Sequence, residues 1–214
     1  MLSYHKIQTV FDRDPDNRYK TLLVGQWARP EFAWLADNEW VFTEKIDGTN
    51  IRVDWDSERA AVQFGGRTER AQIPTFLFNE LGQLFPISAF GAAYPDASMT
   101  LYGEGYGAKI QKGGGNYIPD GVSFILFDVR INDVWLERHN VEDIAGKLGI
   151  DAVPILGKGT LMDAVEMVAD GFPSELSNNI MYMAEGLVMR PAVELLDRLG
   201  HRIITKVKYK DFAR

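Results

Sequence analysis

The chain has 214 residues and no cysteine, which excludes a disulfide framework and a zinc–thiolate site. Its 46% hydrophobic and 25% charged residues are typical of a globular protein that buries its own core. The net charge of −7 disfavours indiscriminate binding of polyanions, because much of that affinity comes from neutralising phosphates. The last thirteen residues, 202–214, are basic by contrast: they contain five Lys or Arg, ending at Arg214, and a single acid, Asp211. We therefore expect an acidic body that carries one basic cleft.

The N-terminal twenty residues lack an apolar signal core, and no run approaches the roughly 18 apolar residues of a membrane span. We therefore expect a cytoplasmic protein without membrane contact. No repeat, low-complexity segment or Pro/Gly/Ser linker divides the chain, which predicts one domain over residues 1–214.

β-branched and aromatic runs bounded by turn residues predict strands in chain order. These are Glu39–Glu44, Asn50–Trp55, Ala60–Phe64, Met99–Tyr102, Val122–Val129, Asp133–Glu137, Gly186–Met189 and Arg202–Lys208. Helical spacing of apolar residues predicts helices at Pro74–Leu84, Val141–Leu148 and Leu161–Ala169. Asn140 is the expected N-cap of the second helix, and Gly171 is expected to end the third. This irregular interleaving indicates an α+β fold of antiparallel sheets with flanking helices.

The segment TEKIDGTN, residues 43–50, places a lysine directly before a tight turn. One strand runs into the turn at Asp47-Gly48, and a second leaves it at Ile51. Taken alone, the segment is typical of a surface hairpin with a solvated lysine. This segment alone therefore assigns no functional role to Lys45, and such a role depends on segments further along the chain.

Five later segments place polar side chains at predicted strand ends or turns. They are GGRT at 65–68, YGEGY at 102–106, FILFDV at 124–129, AEGLVMRP at 184–191 and ITKVKYK at 204–210. The last of these alternates lysines along a predicted strand. Lys206, Lys208 and Lys210 are therefore expected on one face.

Together the six segments resemble the covalent nucleotidyltransferase superfamily of ATP-dependent RNA and DNA ligases and mRNA capping enzymes. That pattern is K-x-D-G-x-N/R, an arginine, a glutamate, an aromatic–acid strand, E-G-x-V and K-x-K, and the match runs from about Trp40 to Phe212. Asn50, Arg67 and the run IQKG at 110–113 followed by Tyr117 resemble the RNA ligases, especially the phage nick-sealing type. The resemblance implies the ATP-grasp-like adenylation fold of ligases and an intracellular, phage-like enzyme that uses ATP with Mg²⁺ or Mn²⁺.

The resemblance also implies which side chains meet the nucleotide, the metal and the acceptor end. The implied catalytic set is Lys45, Lys206, Lys208, Arg67 and Asp128. The implied nucleotide-binding set is Glu44, Lys45, Ile46, Asp47, Asn50, Arg67, Glu104, Phe127, Glu185, Lys206 and Lys208. The implied metal ligands are Glu185 and Asp128.

Within these sets the resemblance implies individual roles for five side chains. Phe127 would stack on the adenine ring, Glu104 would bond the ribose hydroxyls, and Glu44 would read the adenine amine. Arg67 and Asn50 would meet the phosphate or sugar at the acceptor end, for which the planar guanidinium of arginine is suited.

The chemistry of lysine supports the assignment independently. An amine attacks phosphorus only when neutral, and a lysine of pKa about 10.4 is roughly 0.1% neutral near pH 7.4. Cations such as Lys206, Lys208 and a bound metal would favour the neutral form of Lys45. The same cations can hold a triphosphate and stabilise charge on departing pyrophosphate.

Other interpretations stay open for several of these residues. Glu185 is also consistent with a solvated acid at a strand end, and Asp128 with a buried acid that makes structural hydrogen bonds. Phe127 is equally consistent with a core position, since Ile125 and Val129 would share its face of the strand. The run GGG at 113–115 lacks the spacing of a phosphate-binding loop and is expected to be a mobile loop.

We predict an ATP-dependent RNA ligase that passes AMP from Lys45 to a 5′-phosphate end and seals that end to a 3′-hydroxyl. RNA ends or a nicked duplex are the expected substrates. The alternatives are a DNA ligase core, or a non-catalytic module that kept the fold and binds nucleotide or nucleic acid. Because the chain stops at Arg214, we expect no C-terminal OB-fold or helical domain, and a partner protein that supplies the missing grip on nucleic acid.

Overall fold

The computed structural model describes residues 4–212, so Arg214 of the basic C-terminal stretch lies outside the described residues. The chain forms two compact units. The first comprises Asp47–Val153 with Tyr4 and His5, and the second comprises Lys6–Ile46 with the described chain from Pro154 to Phe212. Each unit is assembled from separated stretches, so no linker in the sequence marks the division. The assignment of residues 1–214 to one nucleotidyltransferase domain stays a prediction.

Thirteen strands and five α-helices follow one another along the described part of the chain. The strands are β1 (Gln8–Thr9), β2 (Phe11–Arg13), β3 (Leu22–Trp27), β4 (Trp40–Glu44), β5 (Thr49–Asp56), β6 (Ala61–Gly66), β7 (Met99–Gly107), β8 (Val122–Ile131), β9 (Val134–Trp135), β10 (Asp151–Ala152), β11 (Ile155–Gly159), β12 (Gly186–Pro191) and β13 (Thr205–Lys208). The helices are α1 (Pro30–Trp34), α2 (Thr75–Leu84), α3 (Ile87–Ala93), α4 (Arg138–Leu148) and α5 (Leu161–Asp170). Within residues 4–212, no helix is both long and apolar enough to cross a membrane.

The first unit is a sheet of order β10-β8-β7-β5-β6, with β9 beside β8. All pairings are antiparallel except that of β10 with β8. Alternate residues of β5, namely Ile51, Val53 and Trp55, pack into a core with Leu77 and Leu81 of α2. The intervening residues of β5 therefore face the other side of the sheet.

A β-bulge interrupts β8 next to Phe127. Tyr102 of β7 pairs with Asp128, whereas the next residue of β7 pairs with Leu126, so Phe127 is the extra residue of the bulge. One extra residue reverses the alternation of faces beyond it, and Leu126 and Val129 both lie in the core. The expectation that Phe127 shares a face with Val129 is therefore wrong. Phe127 is half-buried and lies outside that core.

The second unit is a sheet of order β1-β13-β12-β4-β11, with a separate hairpin of β2 and β3. Its pairings are antiparallel except that of β1 with β13. Trp40, Leu187 and Val207 pack in its core against α5. Thr160 begins α5 with a capping box, and the helix ends at Gly171, which was the predicted end. The antiparallel sheets with flanking helices confirm the predicted α+β fold class.

Two local predictions are wrong. Asn140 lies inside α4, whose N-cap is Glu137, because the helix begins one turn before its apolar stripe. Lys210 lies in a short 3-10 turn, Tyr209–Asp211, so it does not continue the face of the preceding strand. The glycine run at 113–115 lies partly in another 3-10 turn that buries Gly114, and its expected mobility stays a prediction. The elements β1, β2, β3, α1, α3, β10 and β11 were not predicted.

Candidate active site

Strand ends of the second unit bring Lys45, Glu185 and Lys208 together. Lys45 directly follows β4, and its backbone N–H donates to the carbonyl of Gly186 at 2.9 Å. Glu185 directly precedes β12, and Gly186 pairs with Lys208 of β13. Antiparallel pairing of β12 with both β4 and β13 therefore places the three side chains at one end of the sheet.

Both lysines donate to the same carboxylate. Lys45 Nζ lies 2.5 Å from Glu185 Oε2, and Lys208 Nζ lies 2.5 Å from Glu185 Oε1. All three side chains are less than one-fifth exposed, so solvent screens the pairs only in part. Burial raises the pKa of Glu185, but the charge of Lys45 and the hydrogen bond from Lys208 outweigh it, and the pKa lies below its ordinary value.

Lys206 adds a third cation to this end of the sheet. It precedes Lys208 by two residues on β13, so both project from the face opposite Val207. Burial, followed by the positive charges of Lys45 and Lys208, lowers the pKa of Lys206 to about 8. Three amines with one nearby carboxylate form a cationic cluster suited to an anion such as a phosphate chain.

The residues on either side of Lys45 are buried. Glu44 is 2% exposed, and its two oxygens accept from the Ser174 hydroxyl and, at 2.9 Å, from the Glu175 backbone N–H. Burial raises the pKa of Glu44, and those hydrogen bonds oppose the rise. Ile46 is 3% exposed. The adenine-reading role of Glu44 stays a prediction, and an adenine amine would have to reach an enclosed carboxylate.

In the first unit, Asn50 of β5 lies directly opposite Glu104 of β7. Asn50 alternates with the core residue Ile51, so it faces the other side of the sheet. Its Oδ1 is buried and accepts no hydrogen bond from any residue between 4 and 212. Because an unpaired buried acceptor costs about 1–3 kcal/mol, a ligand donor such as a sugar hydroxyl fits beside Glu104.

The turn that follows Lys45 is closely packed in the first unit. A Cβ added at Gly48 would lie 2.7 Å from Glu104 Cγ, so this close approach requires glycine. The Asp47 N–H donates to the Tyr117 hydroxyl at 3.2 Å, and Gln111 Nε2 donates to the carbonyl of Gly48 at 3.0 Å. Side chains from the loop after β7 therefore fix the shape of this turn.

Asp128 is fully buried beside an aromatic cluster. The hydroxyl of Tyr4 donates to Asp128 Oδ2 at 2.5 Å, and the Tyr4 ring lies 5.0 Å from that of Phe127 at an interplanar angle of 65°. This environment favours the structural interpretation of Asp128, and its metal-binding and catalytic roles stay predictions. Phe127 also keeps its predicted stacking role as a prediction.

Arg67 follows β6 directly. Gly66 pairs with Ile51, so the register places Arg67 next to Asn50 at the same end of the sheet. The Arg67 side chain is exposed and forms no ion pair with any residue between 4 and 212. It is therefore accessible to an anionic ligand, as its predicted role requires.

The family model described as RNA ligase matches residues 38–208 of the chain. The chain belongs to the RNA ligase family. A comparison of the sequence with curated proteins gives no significant match.

Solved RNA ligases have the same fold as this family member. A variant of the Naegleria gruberi RNA ligase with ATP and Mn is 19% identical with a TM-score of 0.66, and covers 97% of this chain and 56% of its own. Another variant with AMP and Mn is 19% identical with a TM-score of 0.62, and covers 97% and 58%. The ligase with PPi is 19% identical with a TM-score of 0.63. This RNA ligase family member thus spans little more than half the length of those ligases, and the likeness confirms the predicted adenylation fold.

A metal ion in this RNA ligase family member would have few ligands from the protein. Across residues 4–212, no group of three or more His, Asp or Glu side chains could hold a metal ion. Mg²⁺ commonly binds through one or two carboxylates, waters and substrate phosphates. Glu185, next to Lys45, fits such a single-carboxylate role, and no comparable opening exists at the enclosed Asp128.

Sequence reasoning missed two residues that shape the site. Ser174 holds Glu44 across 130 positions, and Tyr4 holds Asp128 across 124 positions. Neither lies in a motif, and hydrogen bonds over such separations leave no local pattern in one sequence. Tertiary packing alone reveals them.

The lowered pKa of Lys206 predicts a pH dependence of stability. The pKa is about 8 in the folded protein and 10.5 in the unfolded chain, so between these values the unfolded chain binds more protons. The free energy of unfolding should therefore rise with pH over this window as the desolvated cation is neutralised. Urea unfolding at pH 7.5, 8.5 and 9.5 should show this rise in the wild type and a smaller one in Lys206→Met. Parallel profiles of the two proteins would contradict the prediction.

Proposed function

We propose that this protein is an ATP-dependent RNA ligase in which Lys45 carries AMP covalently. The observation that carries the proposal is the arrangement of Lys45, Lys206 and Lys208 around the single carboxylate of Glu185. Lys45 supplies a nucleophilic nitrogen at this end of the sheet, and the neighbouring cations attract the triphosphate. Membership of the RNA ligase family supports this choice of chemistry.

In the first step, the Lys45 ammonium gives one proton to solvent, and its Nζ attacks the α-phosphorus of ATP. A P–N bond forms, the bond from that phosphorus to the pyrophosphate oxygen breaks, and the attacking nitrogen gives a second proton to solvent. The products are pyrophosphate and a lysyl–AMP phosphoramidate. Lys206 and Lys208 balance the charge that develops on the departing pyrophosphate.

Mg²⁺ or Mn²⁺ is the proposed metal, with Glu185 as its protein ligand. When bound, it would supply positive charge next to the phosphates and polarise the α-phosphoryl group. Coordination of the metal by Glu185 would also release Lys45 and Lys208 from their ion pairs with that carboxylate.

The nucleoside contacts are proposed from the first unit. Glu104 accepts from the ribose hydroxyls, and the unpaired Oδ1 of Asn50 accepts another donor from the sugar at the acceptor end. Phe127, set outside the core by its bulge, offers a ring face to the adenine. Arg67 contacts phosphate.

In the second and third steps, the AMP passes from Lys45 to a 5′-phosphate, and a 3′-hydroxyl then displaces it. The second step breaks the P–N bond and forms a pyrophosphate linkage. The third forms the phosphodiester and releases AMP. We propose RNA ends or a nicked RNA duplex as the substrate, on the basis of the family.

Covalent labelling tests the proposal. Incubation with ATP labelled in the α-phosphate and Mg²⁺ or Mn²⁺ should transfer label to the protein, and peptide mass spectrometry should locate AMP on Lys45. Added pyrophosphate should remove the label, because the first step is reversible. Joining of nicked RNA and nicked DNA by the labelled protein alone compares the substrates and shows whether a partner protein is needed. Absence of label with either metal between pH 6 and 9 would reject the proposal.

A further inference from the structure

One end of the sheet in the first unit gathers two loops next to the start of β5. β6 and β7 both run antiparallel to β5 and end where it begins. The loop 67–74 leaves from β6, and the loop 108–121 leaves from β7. Topology therefore places both loops beside Asn50, whichever conformation each loop adopts.

Specific contacts hold the two loops against this end of the sheet. Gln111 donates to the carbonyl of Gly48. In the other loop, the Ala71 N–H donates to the carbonyl of Thr68 at 3.0 Å, and Ala71 packs so closely on Gly66 that a Cβ there would lie 2.6 Å from the Ala71 Cβ. A hydrogen bond at Gly48 and close packing at Gly66 therefore hold the two loops against the sheet.

These loops carry cations that have no acidic partner. Arg70, Lys109 and Lys112 are exposed, and none of them forms an ion pair in the part of the chain that the structure describes. Two buried or half-buried arginines of this unit differ, since Arg52 pairs with Asp54 and Arg130 with Asp133. We call Arg70, Lys109 and Lys112 the basic edge.

The charge of the basic edge contrasts with that of the whole chain. The two loops contain only Glu69 and Asp120 as acids, whereas the chain carries a net charge of −7. Exposed cations without acidic partners attract polyanions. Nucleic-acid phosphates are such anions, and Lys and Arg are the side chains that neutralise them.

We propose that the basic edge binds the sugar–phosphate backbone of the RNA strand that is joined, next to Arg67. This inference rests on the proposed ligase function, and it gives the acidic protein its grip on nucleic acid. The contacts are made to phosphates, so they fix the position of the strand without reading its bases. The basic edge takes no part in the attack of Lys45 on ATP.

Salt-dependent binding tests the proposal. The variant Arg70→Ala/Lys109→Ala/Lys112→Ala is compared with Arg59→Ala/Lys20→Ala/Lys158→Ala, which removes the same charge from exposed cations elsewhere. Binding of a fluorescent nicked RNA duplex is measured by anisotropy from 50 to 300 mM salt. Each lost phosphate contact should make the slope of log K against log salt less steep by about 0.9. The slope for the basic-edge variant should therefore be less steep than the wild-type slope by about two to three, and the slope for the control variant by less than about one.

Covalent labelling by ATP distinguishes a defect in RNA binding from a defect in the reaction of Lys45 with ATP. The basic-edge variant should take up AMP at the wild-type rate while joining nicked RNA poorly at 150 mM salt and better at 50 mM. An unchanged slope, or equal loss in the control variant, would overturn the basic edge even if Lys45 is labelled. A wild-type protein that takes label but binds no nucleic acid would overturn it as well. A wild-type protein that takes no label rejects the proposed function, and the slopes still decide whether the edge binds RNA.

Discussion

Replacing Lys45 with alanine is expected to abolish covalent labelling by ATP. In the proposed mechanism the Lys45 side chain supplies the attacking nitrogen, and Lys208, on the other oxygen of Glu185, only balances charge. Removal of an enzyme's nucleophile lowers turnover by a factor on the order of 10⁶. The adduct should therefore fall below detection in a gel or mass-spectrometric assay that follows label over time.

A second substitution separates a nucleophile from a cation that only binds. Lys45→Arg keeps a positive charge that can pair with Glu185, but a guanidinium stays protonated at any working pH and cannot attack phosphorus. We expect Lys45→Arg to unfold in urea close to the wild type and still to form no adduct.

Lys158→Ala is the matched control for both variants. Lys158 is an exposed lysine of the same unit, and its side chain is 58% exposed. It should take up label at the wild-type rate. Label on Lys45→Ala would show that another group is the nucleophile, and peptide mapping would identify it.

Replacing Gly186 with alanine is expected to damage both the fold and the site. Gly186 has a φ of 151°, which only glycine adopts readily, and an added Cβ would lie 2.0 Å from the carbonyl oxygen of Val207. Backbone cannot be displaced as easily as a side chain, so β12 and β13 would have to separate. Strain and overpacking together should lower the free energy of unfolding by roughly 2–5 kcal/mol.

The same substitution reaches the active site through the backbone. The carbonyl of Gly186 accepts from the N–H of Lys45, and Glu185 is the preceding residue. A shift of β12 therefore moves the carboxylate away from both lysines, and labelling should fall even under conditions where the variant is folded. Urea unfolding followed by tryptophan fluorescence, with labelling at 10 °C, measures the two effects separately.

Gly157→Ala in the neighbouring β11 is the control. The nearest atom to an added Cβ there is Phe42 Cδ2 at 3.8 Å, an ordinary van der Waals contact. This variant should stay within about 1 kcal/mol of the wild type and keep its labelling. Equal behaviour of the two alanine variants would show that the conformation of Gly186 is not required.

Local patterns predicted the features that depend on neighbours in the chain. Alternating apolar residues located the middle of the strands β4, β5 and β8, and the Asp47-Gly48 turn located the connection after Lys45. The lysines of β13 were expected on one face for the same reason, and Lys206 and Lys208 do lie there. Lys210 fails because the strand ends two residues earlier, where the chain tightens into a 3-10 turn.

Short or edge elements escaped prediction because their stability comes from partners far away in the chain. β1 is two residues long and exists through parallel pairing with β13, nearly two hundred positions later. The bulge at Phe127 likewise depends on the register between β7 and β8. Propensity acts over a few residues and cannot report such pairings.

The sequence by itself therefore determined the family and the α+β class, because six ordered segments carry that information, while the roles of the site residues in those segments stay predictions. Only the tertiary structure decided which side chains contact those residues. Glu185 holds two lysines at once, Asp128 is sealed beneath Tyr4, and Glu44 is enclosed by Ser174. These are contacts across the sheet and between separated segments, and their distances and burial follow from packing in three dimensions.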